Sequence, residues 1–413
     1  KYEHMCGGFI WDYVDQAIRV KQNGQEKWLY GGDFNEGKTS YYFCANGIIG
    51  ADREPHPSYF EVKKVYANIK AHAVDLAKGI LSVQNKNLFV TLDGWQLHWF
   101  VTVDGITAQE GTIENLPVDP LSSTEMTLPY DINILPAGET VLTASFVTKK
   151  DMPWAPAGFE QTFDQFVLKP APQEPKTAAE GKIEYTQSGD TVHLSGRGFA
   201  AQIKKGALSS LKYCGQEMLH AAQPMTPNFF RPLTDNDRGY LNFVPQLVRL
   251  NPLYRWQSVS AHIKTAGVKT TRFAGGAVEI GVKWMAPFAS GIRTIYHFDP
   301  DGRVTVRHRA SGVLLPVLKI GLRTGVDSTL KNSKWYGRGP HESYCDRLTG
   351  AKIALHEMEV SALEHRYMRP QENGNRTDVR MLELTDDNGR GIRIEAPAGQ
   401  TFNFGAGYYS QEN

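Results

Sequence analysis

No apolar run in the sequence approaches 18 residues, which excludes a membrane-spanning helix of ordinary length within this stretch. No five like charges follow one another, and the formal net charge is +1. Neither a nucleic acid nor an anionic membrane is therefore the expected partner, and a neutral ligand fits best. The four cysteines, Cys6, Cys44, Cys214 and Cys345, lack the short spacings of zinc or redox motifs and read as buried free thiols. The beginning, Lys-Tyr-Glu-His-Met, has no signal-peptide pattern. It leaves the compartment, cytoplasmic or periplasmic, open. What remains is 413 residues, 41% hydrophobic and 22% charged, enough for two or three ordinary domains.

The densest chemistry lies between Gly7 and Asn46. Gly-Gly-Phe-Ile-Trp-Asp-Tyr-Val-Asp-Gln is followed by Tyr-Gly-Gly-Asp-Phe at Tyr30 to Phe34 and Phe-Cys-Ala-Asn-Gly at Phe43 to Gly47. Phe9, Ile10 and Trp11 favour a strand, and the run turns polar at Asp12, which predicts a buried strand ending in a loop there. Strand ends are where α/β barrels hold their sites. An indole beside carboxylates and an asparagine suits a sugar, whose apolar face stacks while its hydroxyls find hydrogen-bond partners. The alternative is an aromatic core strand.

These motifs, with Ala-Asp-Arg-Glu-Pro-His-Pro at Ala51 to Pro57, resemble the last part of the catalytic barrel of large β-galactosidases of glycoside hydrolase family 2. The likeness continues through Phe-Phe-Arg-Pro-Leu-Thr-Asp-Asn-Asp-Arg-Gly (Phe229 to Gly239), Tyr-Gly-Arg-Gly-Pro-His-Glu-Ser-Tyr (Tyr336 to Tyr344) and Arg-Pro-Gln-Glu-Asn-Gly (Arg369 to Gly374), so it covers nearly the whole chain. It implies a mainly β chain. Residues 1–70 would be the end of a (β/α)8 barrel, 71–168 an immunoglobulin-like sandwich, 169–181 a linker, and 182–413 a mutarotase-like supersandwich cut at its C-terminal side. In that family both catalytic glutamates precede the Gly-Gly-Phe-Ile-Trp strand, and six residues precede it here. A retaining glycosidase needs two carboxyls about 5 Å apart. The expectation is a fragment with no catalytic residue of its own, inactive alone, from a parent that hydrolyses terminal β-galactosides and assembles as a homo-oligomer, a dimer or tetramer.

In chain order, Pro57, Ser58 and Glu61 resemble a capping box, and Val62, Val65, Tyr66 and Ile69 fall at i, i+3, i+4 and i+7, predicting an amphipathic helix. One strand and one helix leave a barrel wall uncovered, so exposed apolar surface is expected. Period-two runs follow at Trp95 to Val103, Thr107 to Ile113, Glu125 to Leu128, Thr140 to Thr148 and Gln161 to Leu168, with Asp93-Gly94 and Asp104-Gly105 as turns. Trp95 and Trp99 share a face, as a sandwich core or as a sugar-binding stripe. Lys169 to Gly181 reads as an extended linker. Beyond it, strands alternate with turns at Ser188-Gly189-Asp190, Pro300-Asp301-Gly302 and Asp387-Asn388-Gly389.

The resemblance makes Trp11 the wall of the galactose subsite, often followed by a cis peptide, and gives Phe43 and Asn46 a part in a sodium site beside the sugar's 6-hydroxyl, Phe43 through its carbonyl. Magnesium is the other expected cofactor. Asn46-Gly47 alone reads equally as a turn pair. Asp12, Asp15 and Asp33 match no catalytic position and read as structural hydrogen-bonding groups, and His56 as a structural histidine. Asp235, Asn236 and Asp237 suit a calcium or magnesium ion, or turn chemistry. Gly337-Arg338-Gly339-Pro340 lacks the Lys-Ser/Thr of a phosphate loop. This segment and Arg369 to Gly374 are expected near the barrel or at subunit contacts, bringing Glu342, Glu372 and Asn373 within reach of the cleft. Two rival readings remain: a non-catalytic carbohydrate-binding or scaffold protein, and a β-glucuronidase or β-mannosidase parent, which the mutarotase-like domain argues against.

Overall fold

The computed structural model describes residues 4, 6–37, 39, 41–172, 181–239, 251–314 and 316–410. The chain divides into two compact units, Lys1–Glu174 with Ser333–Glu383 and Arg393–Gly407, and Pro175–Asn332 with Leu384–Ile392 and Tyr408–Asn413. Part of the predicted linker, 173–180, lies outside the described residues.

The first unit begins with irregular chain. The strand predicted at Phe9 to Trp11 does not form: Phe9 is fully exposed and Trp11 is 76% exposed. A parallel barrel strand needs ladder neighbours on both sides, and here this stretch offers an isolated parallel bridge, Val14 with Ile49. A hairpin follows, β1 (Ile18–Gln22) and β2 (Gln25–Leu29). Its signal was Asn23-Gly24, both at positive φ, as a two-residue turn between strands requires.

Helix α1 (Pro57–Val65) is shorter than the periodicity suggested. Pro57 occupies the first turn, where its missing N–H costs nothing, but no side chain caps the helix. The expected capping role of Glu61 is replaced: its carboxylate accepts from the backbone of Gly350 (2.7 Å) and Thr349 (3.2 Å). Ile69 belongs to the next strand, while Val65 and Tyr66 are about 60% exposed, because the apolar period ran on across the end of the helix.

The sandwich pairs a three-stranded sheet, β3 (Ile69–Asp75), β4 (Ile80–Asn85) and β7 (Ser123–Thr127), with a four-stranded sheet. The second sheet runs β6 (Ile106–Ile113), β5 (Trp95–Val103), β8 (Thr140–Thr148) and β9 (Glu160–Lys169). Every second residue of β5 is buried, as the alternation predicted. Trp95 and Trp99 are 5% and 4% exposed, so they are core and not a sugar stripe.

The later segments of this unit pack onto the sandwich. Gln165 lends its side-chain amide to the backbone of Ile353 in both directions, 2.8 and 3.0 Å, prolonging the ladder by one side chain. Glu139, 7% exposed, holds Arg380 through two 2.8 Å bonds. A buried pair of this kind is far costlier to break than to lack.

Among its described residues, the second unit is all β apart from short helices. Five strands from Glu184–Ser188 to Gln216–Glu217 form one meander and four from Lys264–Arg272 to Val304–Ser311 another, around Phe229, Trp256, Tyr296 and Phe298. The predicted turns at 189–190 and 300–302 fall between neighbouring strands. Asp235–Arg238 is one helical turn closed by a Thr234–Asp237 capping box, with Asp237 also 2.5 Å from Arg231. Within the acidic cluster, Asp237 serves the cap and Asp235 lies 3.8 Å from Arg238. All four cysteines are free, but Cys6, Cys214 and Cys345 are exposed and Cys44 is half-buried, against the expected burial.

Phe146 is fully buried in the sandwich. Phe146→Ala should lower the unfolding free energy by roughly 3–5 kcal/mol, read as an earlier denaturant midpoint.

Candidate functional site

Residues 11–16 and 43–49 form two facing segments joined by their own backbones. Asp12 N donates to Asn46 O at 3.2 Å, Gln16 N to Cys44 O at 2.6 Å, Asp15 N to Ile49 O at 2.9 Å, and Ile48 N to Asp12 O at 3.2 Å. Gly47 lies so close to the other segment that a Cβ would stand 2.2 Å from Asp15 N. Asn46-Gly47 is thus a close approach between two segments and not an ordinary turn pair. The peptide between Trp11 and Asp12 is cis, as the resemblance implied.

The structure brings Phe43 and Asn46 together and presents Trp11 in the facing segment. The Asn46 amide nitrogen donates to Phe43 O at 2.9 Å, and half a turn of the amide would present its oxygen instead. Phe9, Trp11, Tyr13, Phe34 and Phe43 are all exposed, making an apolar, aromatic surface in the segment expected to leave one.

The carboxylates have local work. Asp12 accepts from Tyr13 N at 2.5 Å and from the Gln16 amide, and Asp33 accepts from Tyr30 N at 2.9 Å. Asp15 is 4% exposed, and its two oxygens take Gly47 N and His56 Nε2, each at 2.8 Å. The other nitrogen of His56 meets His365 Nε2 at 2.8 Å. A carboxylate only accepts, so His56 Nε2 donates to it; in the neutral ring Nδ1 then accepts the proton of His365 Nε2. Burial, reinforced by His56, holds His365 below the ordinary imidazole range.

Glu342 is 2% exposed and fully engaged, by Tyr367 Oη at 2.5 Å, Arg347 Nη2 at 2.6 Å and Gly374 N at 2.6 Å. Asn373 accepts from His365 N at 3.2 Å, and Tyr344 Oη donates to Glu372 at 3.4 Å. Glu342 and Asn373 thereby tie the segment 364–374, which carries His365, to its surroundings. The sequence held no sign that His56 meets His365, because the two lie 309 residues apart.

His341 stacks on Phe60, ring centres 4.3 Å apart, in the wall of a cavity of about 510 Å³ also lined by Lys63, Phe163, His356 and Met358. Neither Trp11, Phe43 nor Asn46 lines it. Burial, with Arg347 and Arg376 nearby, pushes His341 down to about 4. Among the described residues, no group of three His, Cys, Asp or Glu is placed to hold a metal ion.

The profile of the β-galactosidase small chain family matches residues 195–413, more than half of the chain. The chain belongs to this family. The profile of β-galactosidase domain 4 matches residues 81–169, and that of the glycosyl hydrolases family 2 TIM barrel domain matches residues 1–71, which contain Trp11, Phe43 and Asn46. A β-galactosidase of Priestia megaterium is 36% identical over 96% of this chain and 38% of its own length. Those of Halalkalibacterium halodurans and Lactobacillus delbrueckii are 34% and 32% identical over 95% and 94% of this chain. The chain spans about two fifths of the length of these curated relatives. A solved exo-β-D-glucosaminidase aligns at 9% identity over 64% of this chain and 29% of its own, with a TM-score of 0.20, which carries no argument.

Two outcomes are expected. Gly47→Ala should cost roughly 3 kcal/mol and part the two segments, read as faster amide exchange at residues 44–49. His341 takes up its proton only near pH 4, whereas the unfolded chain does so near 6.5. The unfolded state therefore binds more protons in that window, and stability present above pH 6.5 is lost as pH falls towards about 4. His341→Phe should flatten that part of the melting temperature profile.

Proposed function

We propose that this chain is the C-terminal part of a β-galactosidase that hydrolyses terminal, non-reducing β-D-galactosides with retention. The observation that carries this reading is the placement of Trp11, Phe43 and Asn46 on two locked segments, within the residues that match the family 2 barrel profile. Trp11 offers an open indole face to a sugar. Phe43 O and the Asn46 amide, already 2.9 Å apart, supply two of the ligands of a sodium ion, whose preference is for hard oxygen donors. The remaining sodium ligands, the magnesium site and both catalytic glutamates come from the part of the barrel outside this chain. Bound sodium would orient the sugar's 6-hydroxyl, and the indole would set the plane of the ring.

The chain alone is then inactive. Its exposed aromatic surface is the face on which the rest of the barrel closes, and the full protein works as a homo-oligomer. No helix among the described residues is long and apolar enough to cross a membrane.

The test is hydrolysis of an aryl β-galactoside, with sodium and magnesium present, by this chain and by a chain extended upstream through a whole barrel. Activity is expected only in the extended protein. Activity in the 413 residues alone would overturn the assignment of the glutamates. In the extended protein, Trp11→Ala should lower kcat/KM by about 5- to 30-fold, the equivalent of the roughly 1–2 kcal/mol that burying one indole face against a sugar contributes.

A further inference from the structure

The described backbone bonds between residues 12–16 and 44–49 come from Asp12, Tyr13, Asp15 and Gln16, and Asp15 adds its side chain to them. Its N–H meets Ile49 O, its carboxylate takes Gly47 N, and its neighbours Asp12 and Gln16 bind Asn46 O and Cys44 O. Asp15 in turn is fixed from below. With one oxygen on Gly47, it has the other on His56, itself 7% exposed. The His56 ring has no remaining freedom: both nitrogens are bonded, His365 stands edge-on at 5.0 Å, and Tyr367 leans on it at 5.3 Å. Tyr367 and the backbone of Gly374 are tied to the buried Glu342, which Arg347 neutralises.

A buried carboxylate keeps its position only while its donors keep theirs, since each lost bond leaves an uncompensated acceptor. The path from Glu342 and Tyr367 through His365, His56 and Asp15 therefore ends at Gly47, next to Asn46. We propose that Asp15, His56 and His365 are positioning residues for the sodium and galactose site, and that the segment carrying His365 thereby sets the affinity of a loop in the barrel. This rests on the β-galactosidase reading above. None of the three is a catalytic residue; they act through Gly47 on the groups that touch the cation and the sugar.

The first arm uses the 413-residue chain and needs no activity. His365→Leu should speed amide exchange at Gly47 and Ile49 at least tenfold while leaving Trp95–Val103 unchanged. His365→Gln, whose amide N–H can still donate to His56 Nδ1, should stay within about threefold of the unsubstituted chain. Unchanged exchange at Gly47, or acceleration spread equally through the sandwich, would overturn the proposal. The second arm uses the chain extended through a whole barrel. There His365→Leu should weaken sodium binding, read by ²³Na relaxation, five- to tenfold and raise KM for an aryl galactoside at limiting sodium, with kcat at saturating sodium within twofold. A fall in kcat with sodium affinity and KM unmoved would overturn it as well. Failure of the β-galactosidase reading has a separate signature, an unsubstituted extended protein that neither hydrolyses the galactoside nor binds sodium; the exchange arm then decides whether His365 positions the loop.

Discussion

The first unit depends on a carboxylate and two imidazoles in line, Asp15 and His56 buried and His365 half-buried. Asp15, His56 and His365 touch end to end at 2.8 Å, and the line bridges 309 residues between His56 and His365. Apolar packing would hold these segments together without fixing them at one setting. Buried polar groups are stricter, because a misplaced partner leaves a charge or a lone pair without compensation. The aromatic segments of residues 9–43 gain a fixed geometry although most of their side chains are exposed. Their order comes from beneath.

The same logic recurs around the sandwich. Glu61 reaches from α1 to the Thr349–Gly350 turn, Gln165 from β9 to Ile353, and Glu139 to Arg380. In each case a side chain of one segment satisfies a backbone or a charge of another, far away in sequence. Two glycines make the approaches possible. Gly47 has no room for a Cβ against Asp15, nor Gly350 against Phe60 and Glu61. Barrel remnant, sandwich and later β segment are one unit because these joints are polar and specific as well as packed.

Much of the fold was legible. β5 and β8 were read with the boundaries the structure gives, because alternation of period two reports one buried face directly. The Trp11, Phe43 and Asn46 motifs were legible through resemblance, and so was the cis peptide after Trp11. Other features were illegible for physical reasons. The helical period at Val62 to Ile69 crossed from α1 into a strand, since pattern alone carries no marker of that change. Phe9 to Trp11 has strand propensity without a strand, because propensity cannot supply ladder partners. The three donors that hold Glu342 left no mark in the sequence, because a donor is known only by its place in space.

By itself the sequence determined the family and the mainly β character after residue 70. These follow from local composition, periodicity and ordered motifs, all of which can be read along one line. Only the tertiary structure decided what each carboxylate and imidazole does. Asp12, Asp15 and Asp33 are alike in sequence context, yet of the three Asp15 alone is buried and bonded to residues far away in the chain. That difference comes from His56 and Gly47, brought to it from 41 and 32 residues away. The role of a buried polar group is set by its partners in space, and chain order does not record them.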